Sequence, residues 1–126
     1  MKTKFKLLKQ LFIKFKQTNL NVKSDICIPW EIIYNTLLII LFVKSDLLRG
    51  FYISPTINGT ILFDYDNKDV KEVICLFNIC EKHFSFVCRD SERLLDYSID
   101  CENFNISNLN KCLFKFKTLF IDKNIL

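Results

Sequence analysis

Three cysteines and the only histidine of the chain form the pattern Cys75-x4-Cys80-x2-His83-x4-Cys88. Thiolates and imidazoles are the usual ligands of tetrahedral zinc sites, although this spacing is not that of a common zinc motif. In a hairpin that turns at Glu81-Lys82, Cys75 and Cys88 face one side of the sheet. Cys80 and His83 then face the other side, so the four side chains cannot enclose one ion. We expect buried free thiols and no metal site.

The same histidine is the only base that could activate a thiol. Cys80 is expected to lie across the strand pair from His83, and cysteine–histidine pairs support nucleophilic catalysis. Position 83, however, begins a strand beside a surface turn, and no glycine-lined pocket or oxyanion loop adjoins it in the sequence. We therefore expect no catalytic residue and a protein that is not an enzyme.

Acidic residues follow in the pattern Asp64-x-Asp66-Asn67-x-Asp69, which is similar to the start of a calcium-binding loop. The sixth position of that loop is Asp69 where glycine is needed, and the twelfth is a cysteine where a bidentate glutamate is needed. A metal-dependent nuclease site would need further carboxylates, and Glu72 is the only one close by. The pattern therefore indicates a solvated turn, and we expect no metal and no cofactor.

The chain begins with a cluster of six lysines, namely Lys2, Lys4, Lys6, Lys9, Lys14 and Lys16. Apolar residues recur among them at spacings of three and four: Phe5, Leu8, Leu11, Phe12 and Phe15. This periodicity predicts a basic amphipathic helix over 1–17. Either the apolar stripe docks on the rest of the protein and leaves the lysines in solvent, or the lysines contact nucleic-acid phosphates or an anionic membrane.

Charge is distributed unevenly along the chain, although the net charge is only +4. Residues 1–23 contain seven lysines and no acidic residue, whereas residues 61–102 carry a net charge of −5. Two interpretations remain open: the basic terminal segments complement the acidic middle within the fold, or they form a basic surface for an external anionic partner.

The 126 residues are enough for one α+β domain spanning 1–126. Pro29 suits the first turn of a core helix over 29–48, which is apolar nearly all round and should lie between a sheet and another helix. Ser107 is a credible N-cap for a C-terminal helix over 107–120 that packs on the sheet. The predicted order is thus N-terminal helices, then a sheet, then a C-terminal helix that packs on the sheet.

Between these helices the pattern predicts an antiparallel β-meander of three to four strands over 60–99. The first strand follows the turn signals Ser54-Pro55 and Asn58-Gly59. Residues 70–79 and 83–89 form a hairpin, and its two-residue turn pairs Cys75 with Cys88. Residues 94–99 form either a fourth strand or a helical turn.

Several features of the sequence indicate a cytoplasmic protein. The basic start is similar to the first part of a signal peptide, but Lys9, Lys14 and Lys16 interrupt the apolar stretch that follows. The apolar run from Ile32 to Val43 is short of the roughly 20 residues of a membrane span. We expect the six cysteines to stay reduced. The abundance of lysine, asparagine, isoleucine and phenylalanine is typical of an AT-rich genome.

Residues 28–120 resemble a set of small bacterial, plasmid and phage proteins to which no reaction is assigned. These proteins have a Pro-initiated apolar helix, a Pro-Ser/Thr-x-x-Gly-x-Ile/Val-x-Phe/Leu-acid-aromatic strand signature, a β-hairpin and a closing helix. The signature residues in this chain are Pro55, Thr56, Gly59, Ile61, Phe63, Asp64 and Tyr65, and Pro29 begins the preceding helix. The resemblance implies a small α+β domain from a phage or another mobile element.

Together these observations predict a non-enzymatic protein-interaction module. In the setting that the resemblance implies, it would inhibit a host defence protein, as anti-CRISPR proteins do. The alternative is a nucleic-acid-binding protein that uses the lysines of the first helix. A protein partner is expected, nucleic acid is a second possible partner, and a homo-oligomer stays open.

Overall fold

The computed structural model describes residues 2–67 and 72–121. Three helices come first: α1 (Lys2–Thr18), α2 (Trp30–Phe42) and α3 (Ser45–Leu48). Five strands follow: β1 (Phe51–Pro55), β2 (Ile61–Tyr65), β3 (Val73–Ile79), β4 (Phe84–Asp90) and β5 (Leu95–Cys101). Helix α4 (Ile106–Phe116) closes the fold and continues as a π-helical segment over Lys117–Ile121.

The strands form one antiparallel sheet in the order β1-β2-β3-β4-β5. Helices α2 and α4 contact one another, and α2 also contacts β2 and β3. Alternate residues of β1 to β4 are buried, and stacked rings cross the middle strands, with 4.4 Å between the ring centroids of Phe63 and Phe77. The expected α+β class is confirmed, but the strand count of three to four is wrong.

The strand that the sequence missed is β1, because Ser54-Pro55 was interpreted as a turn. Thr56 donates its amide to Thr60 across the β1–β2 pair, at 2.9 Å between nitrogen and oxygen. The amides of positions 51 and 53 therefore point away from β2, as an amide hydrogen at position 55 would. Proline is tolerated at position 55 because this edge position needs no donor for the sheet.

The predicted helix over 29–48 is wrong in its second half, because α2 ends at Phe42. Val43 has extended backbone dihedrals (φ −79°, ψ 143°), and the chain becomes helical again at Ser45. This break lets Val43 and Leu48 both be fully buried. Gly50 then turns the chain into β1 with φ +90°, and a Cβ at this position would lie 2.7 Å from the Tyr65 ring.

The predicted hairpin register is confirmed. Cys75 is the cross-strand partner of Cys88, and their sulfur atoms are 3.4 Å apart. The amide of Cys80 donates to the carbonyl oxygen of His83 at 3.0 Å, which closes the two-residue turn. Residues 95–99 of the ambiguous segment belong to β5, the second edge of the sheet, and Leu94 lies in the preceding turn with φ +55°.

Helix α4 begins one residue before the predicted bound, and its N-cap is Asn105 where Ser107 was expected. The Asn105 side chain accepts the amides of Ser107 and Asn108, at 2.8 and 3.3 Å. Asparagine caps a helix as well as serine does, so residue type alone did not separate the two positions. The apolar stripe of α4 is buried as predicted at Leu109, Cys112, Leu113 and Phe116.

Helix α1 runs beside the other edge of the sheet, where it contacts β1, α2 and α3. Its bounds agree with the predicted helix over 1–17. The Gln10 side chain accepts the outward-pointing amide of Ile53 at 3.0 Å. Leu7 and Leu11 are buried on the same side of the helix. Helix α1 thus covers a sheet edge that would otherwise be open to pairing with another chain.

The two faces of the hairpin should respond differently to the same substitution. Cys75 is fully buried on the core face, whereas Cys80 lies on the opposite face and is half-buried. We expect Cys75→Ser to lower the free energy of unfolding by roughly 1–3 kcal/mol, because it buries a poorly partnered hydroxyl. Cys80→Ser is the matched control and should cost much less. Urea unfolding under reducing conditions measures both, and equal losses would contradict the register.

Candidate functional site

The cysteines and histidine of the zinc-like pattern do not converge in the structure. Cys75 and Cys88 are buried on the core face, whereas Cys80 and His83 lie at the hairpin turn. Burial raises the pKa of the Cys75 thiol, and the sulfur contact with Cys88 raises it further. In the part of the chain that the structure describes, no three cysteine, histidine or carboxylate side chains are grouped around a possible metal position.

Cys80 and His83 are linked only through their backbones among the contacts of the described residues. Burial raises the pKa of the Cys80 thiol, and the nearby Asp100 carboxylate raises it further. A raised pKa disfavours the thiolate, which is the nucleophilic form. His83 itself is exposed at the turn. The geometry therefore does not prepare Cys80 for nucleophilic attack.

The acidic pattern after β2 is only partly described, because Asp69 lies outside the described residues. Asp64 and Asp66 are exposed, and burial of part of Asp64 together with the Asp66 charge raises the pKa of the Asp64 carboxyl. The Asn67 side chain donates to the Tyr65 hydroxyl at 3.1 Å. The carboxylates of Asp64 and Asp66 therefore lie exposed near the end of β2.

A cavity of about 590 Å³ lies nearby, between α3, the end of β2 and the π-helical segment. Its charged side chains contact neighbouring groups of the protein. Arg49 pairs with Asp46 at 3.4 Å, and the Lys117 ammonium donates to the Arg49 carbonyl oxygen at 3.0 Å. Lys117 also lies 4.8 Å from the centre of the Tyr65 ring. The charged side chains that line this cavity thus serve contacts within the protein.

The lysines of α1 form the strongest basic feature of the described chain. Within residues 2–67 and 72–121 none of the six lysines forms an ion pair with a carboxylate. Lys4 donates to the Leu41 carbonyl oxygen at 2.8 Å, Lys6 lies over the Tyr52 ring and Lys16 lies over the Phe12 ring. Among the described residues the α1 lysines thus contact a backbone carbonyl and aromatic rings, and no ion pair joins them to the acidic middle of the chain.

The rotation of α1 differs from the predicted one. The expected apolar stripe includes Phe5 and Phe12, but these side chains are 73% and 58% exposed. The buried side chains are Leu7, Leu11 and Thr18. The Leu7 and Leu11 side of the helix packs on the core, and the Gln10 bond to Ile53 lies on that same side. The phenylalanines consequently face outward, next to α2.

Helix α2 contacts β2 and β3 as well as α1 and α4, as its predicted place between a sheet and another helix requires, but part of its surface stays uncovered. One side of α2 is buried at Ile32, Thr36, Ile39 and Ile40. The other side is open, and Trp30 and Tyr34 are exposed there. The nearly uniform apolarity of the helix concealed this difference, since it has no polar face to mark the solvent side.

These open faces of α1 and α2 meet in a groove. Its lining is almost entirely apolar and consists of Leu8, Phe12, Phe15, Trp30, Ile33 and Leu37, with Leu11 beneath. The cavity at its centre has a volume of about 240 Å³, and Leu8 continues it into a second hollow beside Phe5 and Lys4. We call this feature the α1–α2 groove. The sequence pattern did not indicate this groove, although the apolar residues of α1 span an arc of about 160°, which is wider than one helix contact covers.

The two helices that form the groove run antiparallel. The Phe15 and Trp30 rings meet at one end, with centroids 5.2 Å apart, and the Lys4 bond to Leu41 joins the helices at the other. Between these ends the walls carry side chains at spacings of three and four residues. The groove is therefore a concave apolar site with lysines along one rim.

No protein-family model, curated protein or solved structure matches this chain. The resemblance to the small bacterial, plasmid and phage proteins therefore stays a prediction. Among the described residues no helix is long and apolar enough to cross a membrane.

Two neighbouring residues of α1 test the rotation of the helix. Leu11 is 8% exposed and Phe12 is 58% exposed. We expect Leu11→Ala to lower the free energy of unfolding by roughly 2–4 kcal/mol, because it leaves a cavity in the core. Phe12→Ala should change that energy by no more than about 0.5 kcal/mol. Chemical unfolding followed by circular dichroism measures both variants, and the reverse ranking would show that the phenylalanine stripe docks.

Proposed function

We propose that this chain is a non-enzymatic protein-interaction module that binds its partner in the α1–α2 groove. The observation that carries the proposal is the exposure of large apolar side chains in a concave site, above all Trp30, which is 71% exposed. Exposed apolar patches of this kind mark interaction sites, and tryptophan is enriched among the residues that dominate binding energy. The groove offers a ready receptor for apolar side chains of a partner.

The distribution of reactive groups also supports binding over catalysis. Cys75 and Cys88 are buried in the core, and burial raises the pKa of the Cys80 thiol, which disfavours its thiolate form. The lysines, in contrast, are gathered on α1 beside the groove. The lysines and the apolar groove are therefore adjacent, whereas the cysteines and the histidine that could react lie apart from one another.

The setting implied by the resemblance suggests what the binding would achieve. A small module encoded by a phage or another mobile element acts by occupying a functional surface of a host protein. The partner would then be a host defence protein, and the outcome inhibition of the anti-CRISPR kind. We place this activity in the cytoplasm, where the six free thiols would remain reduced.

The second candidate is nucleic-acid binding through α1. Lys2, Lys9 and Lys16 recur every seven residues, which keeps them nearly in line on one side of the helix. A row of cations of this kind neutralises phosphates. The apolar groove beside the row has no counterpart on a phosphate backbone, so we prefer a protein partner.

An affinity capture from host lysate with matched baits tests the proposed site. The baits are the wild-type protein, a Phe12→Ser/Trp30→Ser variant of the groove, and Ile57→Ser in the β1–β2 loop. Ile57 is 89% exposed, so its variant removes surface apolarity away from the groove. We expect a stoichiometric protein on the wild-type and Ile57→Ser baits and its loss from the groove variant, because the apolar anchors are gone.

Two outcomes would contradict the proposed binding site. A partner that stays on the groove variant binds elsewhere on the protein. If no stoichiometric partner is captured by any folded bait, the chain is not an interaction module of this kind. Circular dichroism of each bait confirms that it is folded before the comparison is made.

Retention on a nucleic-acid column separates the two candidates. We expect wild-type protein to pass through columns of duplex DNA and of RNA at about 50 mM salt, because the lysine row serves a protein partner. Retention that falls steeply with salt and is weakened by Lys9→Gln/Lys16→Gln would favour nucleic acid. Lys44→Gln/Lys111→Gln is the control, since it removes the same charge from exposed positions outside α1.

A further inference from the structure

The dimensions of the α1–α2 groove limit what can fill it. Its apolar wall on α1 extends from Phe5 to Phe15, which is roughly 15 Å along a helix at 1.5 Å per residue. That length equals about three turns of another helix. Both walls are helices whose side chains are spaced by three and four residues. An incoming helix with the same spacing can insert its own apolar ridge between them.

The rim of the groove adds a charge requirement. Lys2, Lys9 and Lys16 lie along α1 next to the row formed by Phe5 and Phe12. The Lys16 ammonium lies 4.7 Å from the centre of the Phe12 ring, which places a cation at the edge of the groove itself. Helix α1 contains no acidic residue. Any partner that fills the groove therefore meets a positive rim along its length.

We propose that the groove receives an amphipathic helix of about three turns with carboxylates along one edge. This inference rests on the proposed function and specifies the partner. The apolar face of the partner helix would cover Phe12, Ile33 and Leu37, and its acidic edge would face the lysines. On α2 the exposed side chains one turn beyond Trp30 and Leu37 are Tyr34 and Leu41, which carry no charge, so the other edge of the partner helix has no such requirement.

A second copy of this chain is a poor occupant. If the same face of two copies came together, their lysine rows would meet, and like charges across an interface oppose association. A lipid surface or a nucleic acid would satisfy the lysines but is flat or polar where the groove is concave and apolar. A helix with an acidic edge satisfies both features at once.

Trp30 supplies a direct readout, because it is the only tryptophan of the chain and lies in the groove. The probes are three synthetic peptides of about four turns without tryptophan. One carries leucines at helical spacing with glutamates beside them, one has lysines in place of the glutamates, and one is a scrambled glutamate peptide. We expect only the glutamate peptide with helical spacing to shift Trp30 emission to the blue in a saturable manner, because it removes the indole from water.

Charge reversal tests the role of the rim. Lys9→Glu/Lys16→Glu should lower the affinity for the glutamate peptide by about tenfold and raise the affinity for the lysine peptide, because two charge contacts change sign. Lys44→Glu/Lys111→Glu alters the net charge equally from exposed positions outside α1 and should leave the affinity nearly unchanged. Raising the salt concentration should weaken wild-type binding to the glutamate peptide.

Three results would overturn the inference: equal binding of the glutamate and lysine peptides, no response of Trp30 to any of them, or a stronger response to phosphatidylserine vesicles or duplex DNA. The captured partner separates this failure from failure of the proposed function. A partner that is lost with Phe12→Ser/Trp30→Ser but unaffected by Lys9→Glu/Lys16→Glu keeps the groove as a docking site and rejects the acidic helix. If no partner depends on the groove, the proposed function itself fails.

Discussion

The packing of one side of α1 against the edge of the sheet sets the rotation of the first helix, and the surface of the protein follows from it. The edge strand β1 points its odd-numbered amides away from the sheet, and the Gln10 side chain accepts the amide of Ile53. Leu7 and Leu11 lie on the same side as Gln10 and are buried, and the burial of two leucines stabilises this rotation more than the hydrogen bond does. With that side fixed, the phenylalanines and most of the lysines must face outward. The binding surface thus includes the side of α1 that stays exposed when the helix covers the sheet edge.

Stability and recognition therefore occupy different sides of the same two helices. On α2, Ile32 and Ile39 are buried, and the Thr36 hydroxyl is satisfied by the Ile32 carbonyl oxygen at 2.8 Å. Trp30, Ile33 and Leu37 are on the open side. The helix backbones of both groove walls are held from behind by buried residues, so little backbone freedom is left to lose when a partner binds. Preorganisation of this kind raises affinity without adding contacts.

Local patterns predicted the elements that depend on local interactions. The turn at Glu81-Lys82 fixed the register of the hairpin, and the apolar period placed α4. The rotation of α1 was not accessible in this way, because Gln10 and Ile53 are separated by 43 residues and either apolar row of α1 could have docked. Pro55 hid β1 for a similar reason, since only the pairing partner shows that its missing amide is not needed. The candidate site consists of those unpredicted faces, so the sequence indicated its lysines but not its groove.

The free edge of the sheet has a consequence for the protein at high concentration. Strand β5 presents Asp96, Ser98 and Asp100 on the open face, and all three are exposed. Two copies that joined their β5 edges would bring these carboxylates together, which opposes the growth of a continuous sheet from one molecule to the next. At the far edge α1 already occupies the position that a foreign strand would take. The molecule therefore resists polymerisation through its backbone at both ends of the sheet, and its side chains remain the means of association.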